Sequence, residues 1–304
     1  MALKRGKLTD ALRQRFSKLT RSASAARDLL RPGHRDARGA EEARPATALR
    51  SRNQRITQAP DGLCLYAVGD IHGRMDLLAR LVELIDADAA TLPAGIKPQI
   101  VFLGDYIDRG LQSRDVIEYF VSGALDRFDP VYLLGNHEEA LLRFLDEVNF
   151  GTQWTRFGGA ETLYSYGLAP PNSRASLHSH EQMAKARDAW SRVWNEFRAR
   201  LPAGHLAFLQ SLKPYHIAGD YLFVHAGLRP GLRLDEQSQR DMLWIREEFL
   251  DAPEPFEHLI VHGHTPEDAI YHDGRRIGLD TGAFLTGRLS AARLFGTEVA
   301  FLHT

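Results

Sequence analysis

The sequence has little cysteine and no long apolar segment. Cys64 is the single cysteine among 304 residues, so the chain can form no internal disulfide and has no thiolate pair to hold zinc. No run of 18 or more apolar residues occurs, and the cationic N-terminus lacks the apolar stretch of a secretory signal. These absences argue against a membrane-spanning or secreted protein, and we expect a cytoplasmic one.

The near-neutral net charge of -1 conceals two oppositely charged parts. Residues 1–60 carry 15 lysines and arginines against 5 acidic residues, a net charge of +10, and the rest of the chain has a net charge of -11. The first part is rich in Arg, Ala and Ser and has too few aromatic residues to fold alone. We therefore expect residues 1–59 to form a basic, disordered arm and residues 60–304 to form the folded domain.

The basic arm also carries a weak helical pattern. Leu8, Leu12, Phe16 and Leu19 recur at helical spacing among basic residues, as in a short amphipathic helix. A disordered tail is the favoured interpretation, while docking on the acidic body and contact with a membrane surface or another anionic partner stay open. The sequence carries no strong signal for nucleic-acid binding.

From Leu63 onward, short apolar runs alternate with helical patterns, which predicts an α/β fold. Five runs are predicted to be strands: Leu63–Val68, Gln99–Leu103, Val131–Leu134, Tyr221–His225 and Leu259–Val261. Helices are predicted at Asp76–Ala90, Ser113–Phe128 and Glu138–Val148, and residues 150–212 are predicted to be a helical insertion over the sheet edge. Gly278–Thr304 is predicted to close the fold with β structure that turns at Gly296 and Thr297.

A polar cluster follows each predicted strand. The clusters are Gly69-Asp70-Ile71-His72-Gly73, Gly104-Asp105-Tyr106-Ile107-Asp108-Arg109-Gly110, Gly135-Asn136-His137-Glu138, His225-Ala226-Gly227 and His262-Gly263-His264-Thr265. Any one of them alone is best explained as a turn or a helix cap. Five in order have no packing explanation, and carboxylate, imidazole and amide groups are ligands for Mn, Fe or Zn.

Taken together, these motifs resemble those of the calcineurin-like metallophosphoesterases, and within them the bacterial phosphoprotein phosphatase branch. The resemblance runs from residue 69 to residue 265 and continues through Asp280-Thr281-Gly282, but it does not cover the basic arm. It implies a central β-sandwich of mixed sheets flanked by helices. It also implies two metal ions, with Mn expected and Fe or Zn as alternatives.

The resemblance assigns a role to ten side chains. The implied metal ligands are Asp70 and His72 for the first ion, Asp105 for both ions, and Asn136, His225 and His264 for the second ion. His137 would protonate the leaving group, Asp108 would orient His137, and Arg109 and Arg246 would grip the phosphate. A hydroxide that bridges the two ions would then attack phosphorus directly.

Three neighbouring side chains are predicted to be structural. His262 is two positions from His264 on a strand end and is expected to be hydrogen-bonded rather than ligating. Glu138 is expected to pair with backbone groups, and Cys64 is expected to be a small buried apolar residue.

Three functions stay open because the metals and arginines would contact only the phosphoryl group. The favoured function is a protein phosphatase for phosphoserine or phosphothreonine, with phosphotyrosine as a further substrate. The alternatives are a dinucleoside tetraphosphate hydrolase and an inactive binding or scaffold protein. Asp108 and Glu138 favour the protein phosphatase, because symmetrical dinucleoside tetraphosphate hydrolases typically carry alanine and aspartate at those positions.

Overall fold

The structure, a computed structural model, describes residues 57–171 and 180–304. These residues belong to one compact unit, Arg55–Thr304. The predicted basic arm, apart from residues 57–59, and its amphipathic helix lie outside the described residues. Within the described ranges, no helix combines the length and the apolar character that a membrane span requires.

Ten described strands form two mixed sheets of five strands each. They are β1 Leu63–Val68, β2 Lys97–Phe102, β3 Val131–Tyr132, β4 Tyr215–Ala218, β5 Tyr221–Val224, β6 Leu259–His262, β7 Tyr271–His272, β8 Arg276–Gly278, β9 Ser290–Phe295 and β10 Glu298–His303. The strand orders are β10-β9-β1-β2-β3 and β4-β5-β6-β8-β7. The strands β1, β2 and β3 run parallel in one sheet, as do β5, β6 and β8 in the other. The remaining strands β4, β7, β9 and β10 pair with their neighbours in antiparallel fashion.

Helices lie between the strands and over the sheets. The α-helices are α1 Met75–Ala89, α2 Ser113–Val121, α3 Asn136–Asp146, α4 Gly151–Trp154, α5 Gly159–Ser165, α6 His180–Arg200, α7 Ala203–Gln210, α8 Gln239–Trp244, α9 Glu247–Leu250 and α10 Ala283–Thr286. Short 3-10 turns occupy Asp126–Phe128, Val148–Phe150, Thr155–Phe157 and Leu234–Glu236. The architecture confirms the predicted α/β fold of two mixed sheets flanked by helices.

The side chains of β1 show how the sheets acquire two buried faces. Leu65 and Ala67 point into the apolar layer between the two sheets, where they join Phe223 and Val261 of the second sheet. Their neighbours, including Tyr66, point the other way into the core beneath the helices. Because side chains alternate along a strand, a run that is apolar at every position is buried on both faces.

All five predicted strands are present, with ends that differ by at most two residues. The prediction of one helix over Ser113–Phe128 is wrong beyond Val121. Gly123 has a left-handed φ of 77°, which an α-helix cannot continue through, and a separate 3-10 turn follows at Asp126–Phe128.

Two other predicted elements differ in detail. The helix predicted from Glu138 begins two residues earlier, at Asn136, and Gly135 is its N-cap. The predicted closing β structure is confirmed as the β9–β10 hairpin, but the short helix α10 comes before it. Helices occupy most of residues 151–165 and 180–210 within the predicted insertion, and their side chains join the core beneath the first sheet.

Candidate metal centre

The segments that directly follow β1, β2, β3, β5 and β6 carry nine of the ten predicted site residues to one place. The tenth, Arg246, follows helix α8. The parallel strands explain this convergence, since their carboxyl ends lie at the same edge of a sheet. The aspartate, histidine and asparagine side chains of the set are buried, whereas Arg109 and Arg246 are half-buried.

The first group of candidate ligands is centred on His72. Its Nδ1 donates to the carbonyl oxygen of Ile107 at 2.9 Å, so the lone pair is on Nε2. That Nε2 lies 3.5 Å from Oδ2 of Asp105, and His137 completes a cluster of three that could hold a cation. This arrangement directs a nitrogen lone pair and a carboxylate oxygen toward the same point.

The second group is centred on His225. Its Nδ1 donates to the carbonyl oxygen of Leu103 at 2.8 Å, which leaves the Nε2 lone pair facing the site. Nε2 lies 2.9 Å from Oδ1 of Asn136, 3.2 Å from Nδ1 of His264 and 3.4 Å from Oδ1 of Asp105. The two oxygens of Asp105 therefore face different histidine groups.

Asp70 adds another buried carboxylate beside these groups. Its two oxygens accept the backbone N–H of His264 at 3.2 and 3.1 Å. Burial, followed by the negative charges of Asp280 and Asp105, holds the pKa of Asp70 well above its usual range. Crowded buried carboxylates are stabilised by a bound cation, so the donor set fits divalent metal ions.

His137, the expected proton donor, and Asp108 lie beside the first group. Nδ1 of His137 is 2.7 Å from Oδ2 of Asp108, and both side chains are buried. Burial opposes the charged imidazole, but Asp105 and Asp108 outweigh it and raise the pKa of His137. Arg109 places Nη1 2.7 Å from Nε2 of His72 and Nη2 3.0 Å from Nε2 of His137.

Arg246 lies on the side of the second group. Its Nη1 donates to Oγ1 of Thr265 at 3.2 Å. Burial is the main cause that lowers the pKa of His264 to about 2, and the neighbouring His225 and Arg246 lower it further. The two arginines thus lie beside different candidate metal groups.

Left-handed backbone is concentrated at this site. Six non-glycine residues have positive φ in the part of the chain that the structure describes, and five of them are His72, Asp105, Asp108, Arg109 and His264. Such residues cost about 1–3 kcal/mol each and persist where the surrounding structure holds them. The fold therefore holds the site loops in conformations that local preference disfavours.

Glu138 shows one way in which the site loops are held. Its Oε1 accepts the backbone N–H of Tyr106 at 2.8 Å, and its Oε2 accepts those of Asp105 at 2.9 Å and Gly135 at 3.1 Å. Burial and the charge of Asp105 raise the pKa of Glu138 to about 8. The prediction that Glu138 pairs with backbone groups matches these contacts.

We expect Glu138→Ala to destabilise the protein by about 3 to 5 kcal/mol, because several buried backbone donors lose their acceptor. Denaturant unfolding of both proteins measures the difference. Glu147→Ala is the matched control, since Glu147 is exposed and forms only a surface ion pair with Arg143. A cost below about 1 kcal/mol for Glu138→Ala would show that the loops hold their conformation without it.

Two further residues follow the structural prediction. Nδ1 of His262 lies 3.0 Å from the carbonyl oxygen of Gly263, and its Nε2 accepts from Arg276 at 3.1 Å. Both ring nitrogens of His262 are thereby occupied away from the site. Cys64 is buried in the core beneath the helices.

Two buried residues of the helical segment, Trp154 and Thr162, are not among the predicted site residues. Both contact the carboxylate of Asp108, at 3.0 Å and 2.6 Å. The sequence shows only that both residues follow the third motif. They are so far along the chain from Asp108 that no local pattern indicates the contact.

Comparisons of the sequence with known proteins agree on one family. A family model described as calcineurin-like phosphoesterase matches residues 65–289. The asymmetrical bis(5'-nucleosyl)-tetraphosphatase PrpE of Anoxybacillus flavithermus is 27% identical over 241 residues, which cover 74% of this chain and 88% of that protein. The protein of the same name from Geobacillus sp. is 28% identical over 246 residues, with the same coverage.

A crystal structure of a candidate diadenosine tetraphosphatase has a similar fold. It superposes with a TM-score of 0.50 and 20% sequence identity, covering 81% of this chain and 98% of that chain. At this identity the likeness concerns the fold alone.

Proposed function

The chain belongs to the calcineurin-like phosphoesterase family, and we propose that it removes phosphate from phosphoserine and phosphothreonine in proteins. The observation that carries this proposal is the buried contact of 2.7 Å between His137 Nδ1 and Asp108 Oδ2. Phosphotyrosine is a further candidate substrate. The cytoplasmic location stays a prediction.

The leaving group explains why this pair favours a phosphomonoester. Serine and threonine leave as strongly basic alkoxides, which need a proton as the bond to phosphorus breaks. A nucleotide leaves as a phosphate that is already a weak base and needs little protonation. An imidazole whose orientation is fixed by Asp108 is the group that an alkoxide requires.

The family is one of dinuclear metal enzymes, and the two buried ligand groups fit that requirement. We propose that Asp70 and His72 hold the first ion, Asp105 both ions, and Asn136, His225 and His264 the second ion. When bound, the ions polarise the phosphate and activate the attacking water. Mn is our expectation for the native metal, with Fe or Zn as alternatives.

The arginines have a separate role in this proposal. A guanidinium only donates hydrogen bonds, so Arg109 uses the Nε2 lone pairs of His72 and His137 as acceptors. The same lone pair of His72 cannot also bind a metal. We propose that Arg109 turns to the substrate phosphate, which frees His72 for the metal and His137 for its proton, and that Arg246 binds the phosphate from the other side.

A dinucleoside tetraphosphate is the second candidate substrate, and the names of the curated relatives favour it. Those relatives are of the asymmetrical type, whereas Asp108 and Glu138 distinguish this chain only from hydrolases of the symmetrical type. Trp244, which is 36% exposed and has its ring 6.2 Å from that of His264, also offers a surface for stacking a base.

Phosphate release from matched peptides, together with nucleotide formation from diadenosine tetraphosphate, separates the candidates. The Mn-loaded protein is compared on phosphoserine, phosphothreonine and phosphotyrosine peptides and on the dinucleotide, with Asp105→Asn as the blank. We expect the phosphoserine and phosphothreonine peptides to have the highest kcat/KM. Activity confined to the dinucleotide would support the second candidate, and no activity on any substrate would support an inactive scaffold.

The basic arm is proposed to serve localisation or docking rather than catalysis. Deleting residues 1–55 is expected to leave hydrolysis of p-nitrophenyl phosphate unchanged, because the candidate site residues all lie between residues 70 and 264. Steady-state kinetics of the full chain and the truncated chain measure this. A large loss of turnover after truncation would assign the arm a part in catalysis, and contact of the arm with an anionic surface stays a prediction.

A further inference from the structure

We propose that Thr162 and Trp154 are positioning residues that hold Asp108, and through it His137, in the orientation needed for proton transfer. Both belong to the helical segment of residues 151–165, to which the sequence analysis gave no part in the chemistry. This inference rests on the proposed function, because it assumes that His137 is the acid.

The carboxylate of Asp108 receives three donors. Its Oδ1 accepts the hydroxyl of Thr162 at 2.6 Å, while its Oδ2 accepts Nδ1 of His137 at 2.7 Å and Nε1 of Trp154 at 3.0 Å. All four side chains are buried. Because both carboxylate oxygens accept hydrogen bonds, the plane of the carboxylate cannot rotate without breaking a buried hydrogen bond.

The same segment also holds the backbone of the loop. Asp108 and Arg109 have left-handed φ values of 69° and 66°. The N–H of Asp108 donates to Oγ1 of Thr162 at 2.9 Å, and the N–H of Arg109 donates to the carbonyl oxygen of Gly158 at 3.1 Å. Two successive left-handed residues are thus fixed by contacts from one neighbouring segment.

Packing makes Trp154 a rigid donor. Its ring is fully buried and stacks on Phe144 of α3, with centroids 4.9 Å apart and planes at 27°. Gly159 also packs against the indole, because a Cβ added to Gly159 would come within 2.4 Å of the ring atoms Cδ2 and Cε2 of Trp154. Packing in the core therefore fixes the position of the indole N–H.

Losing one of these donors should misalign the imidazole without removing it. The cost should appear where the leaving group needs a proton and should shrink where it does not. A residue that only stabilises the fold would instead lower activity on both kinds of ester alike.

Thr162→Val removes the hydroxyl at constant shape, and Thr162→Ser restores it. We expect Thr162→Val to lower kcat on a phosphoserine peptide by about tenfold, with a change below about threefold on p-nitrophenyl phosphate. Thr162→Ser should recover most of the loss. The matched control is Thr155→Val, because the hydroxyl of Thr155 donates to the carbonyl oxygen of Thr152, away from Asp108.

Trp154→Phe is a second, independent variant that keeps an aromatic ring and removes the indole N–H. It should show the same dependence on the leaving group. Its matched control is Trp194→Phe, because Nε1 of Trp194 donates to the carbonyl oxygen of Phe144 at 3.0 Å. If Thr162→Val does not fold, as judged by thermal unfolding, Trp154→Phe still provides the test.

Combining Thr162→Val with His137→Asn separates positioning from other effects. If Thr162 acts through His137, its effect on phosphoserine turnover should nearly vanish in the His137→Asn background. A loss that is equal on both esters, or that persists without His137, would overturn the inference while leaving the proposed function intact. If His137→Asn lowers turnover equally on both esters, the acid role proposed for His137 fails and this inference fails with it, whereas the comparison of substrates tests the phosphatase function separately.

Discussion

Asp105→Asn is expected to remove bound metal and hydrolysis together. The two oxygens of Asp105 face His72 at 3.5 Å and His225 at 3.4 Å, so one carboxylate serves both candidate metal groups. Asparagine lacks the negative charge and offers one oxygen instead of two. Because metal ions supply several kcal/mol of transition-state stabilisation, we expect turnover to fall by about 10³-fold or more.

Metal content and phosphate release, measured on the same samples, test this expectation. Asp129→Asn is a matched control, since Asp129 is exposed and, like Asp105, has a left-handed φ, which asparagine tolerates. It should retain metal and activity. An Asp105→Asn protein that binds metal normally and remains active would show that Asp105 is not a shared ligand.

His137→Asn should keep its metal and slow the hydrolysis of phosphoserine peptides by about 10²- to 10⁴-fold. The reason is that the leaving alkoxide loses its proton donor, while the proposed ligands stay in place. The deficit should shrink on p-nitrophenyl phosphate, whose leaving group needs little protonation. Parallel kinetics on the two esters, together with metal analysis, measure both effects.

The metal content of His137→Asn decides between two interpretations of the geometry. His137 lies with His72 and Asp105 in one of the two groups that could hold a cation. If His137→Asn loses metal to the same extent as Asp105→Asn, His137 is a ligand rather than the acid. An unchanged deficit on p-nitrophenyl phosphate would also count against the acid role.

Much of the fold could be predicted because the strands are short, apolar and buried on both faces. The run Leu63–Val68 is a strand with the predicted ends, and the polar cluster that follows it lies where the parallel strands end. The parallel arrangement of the strands also explains why the candidate ligands lie together, since each follows a strand of one of the two sheets.

Other features depend on contacts between distant parts of the chain. The helix predicted over Ser113–Phe128 ends at Val121 and is followed by the left-handed Gly123, although the apolar spacing continues beyond it. Thr162 reaches Asp108 across 54 positions of sequence. No local pattern encodes such a contact, because it arises only when the helical segment packs beside the second motif.

Titration of Mn into the chelator-treated protein tests the central claim most directly, namely that these loops form a two-metal centre that hydrolyses phosphate esters. Bound Mn and phosphate release from a phosphothreonine peptide are measured on the same samples. The expected result is two ions per chain, with activity that rises as the second ion binds. Full activity without metal, or with a single ion per chain, would contradict the account.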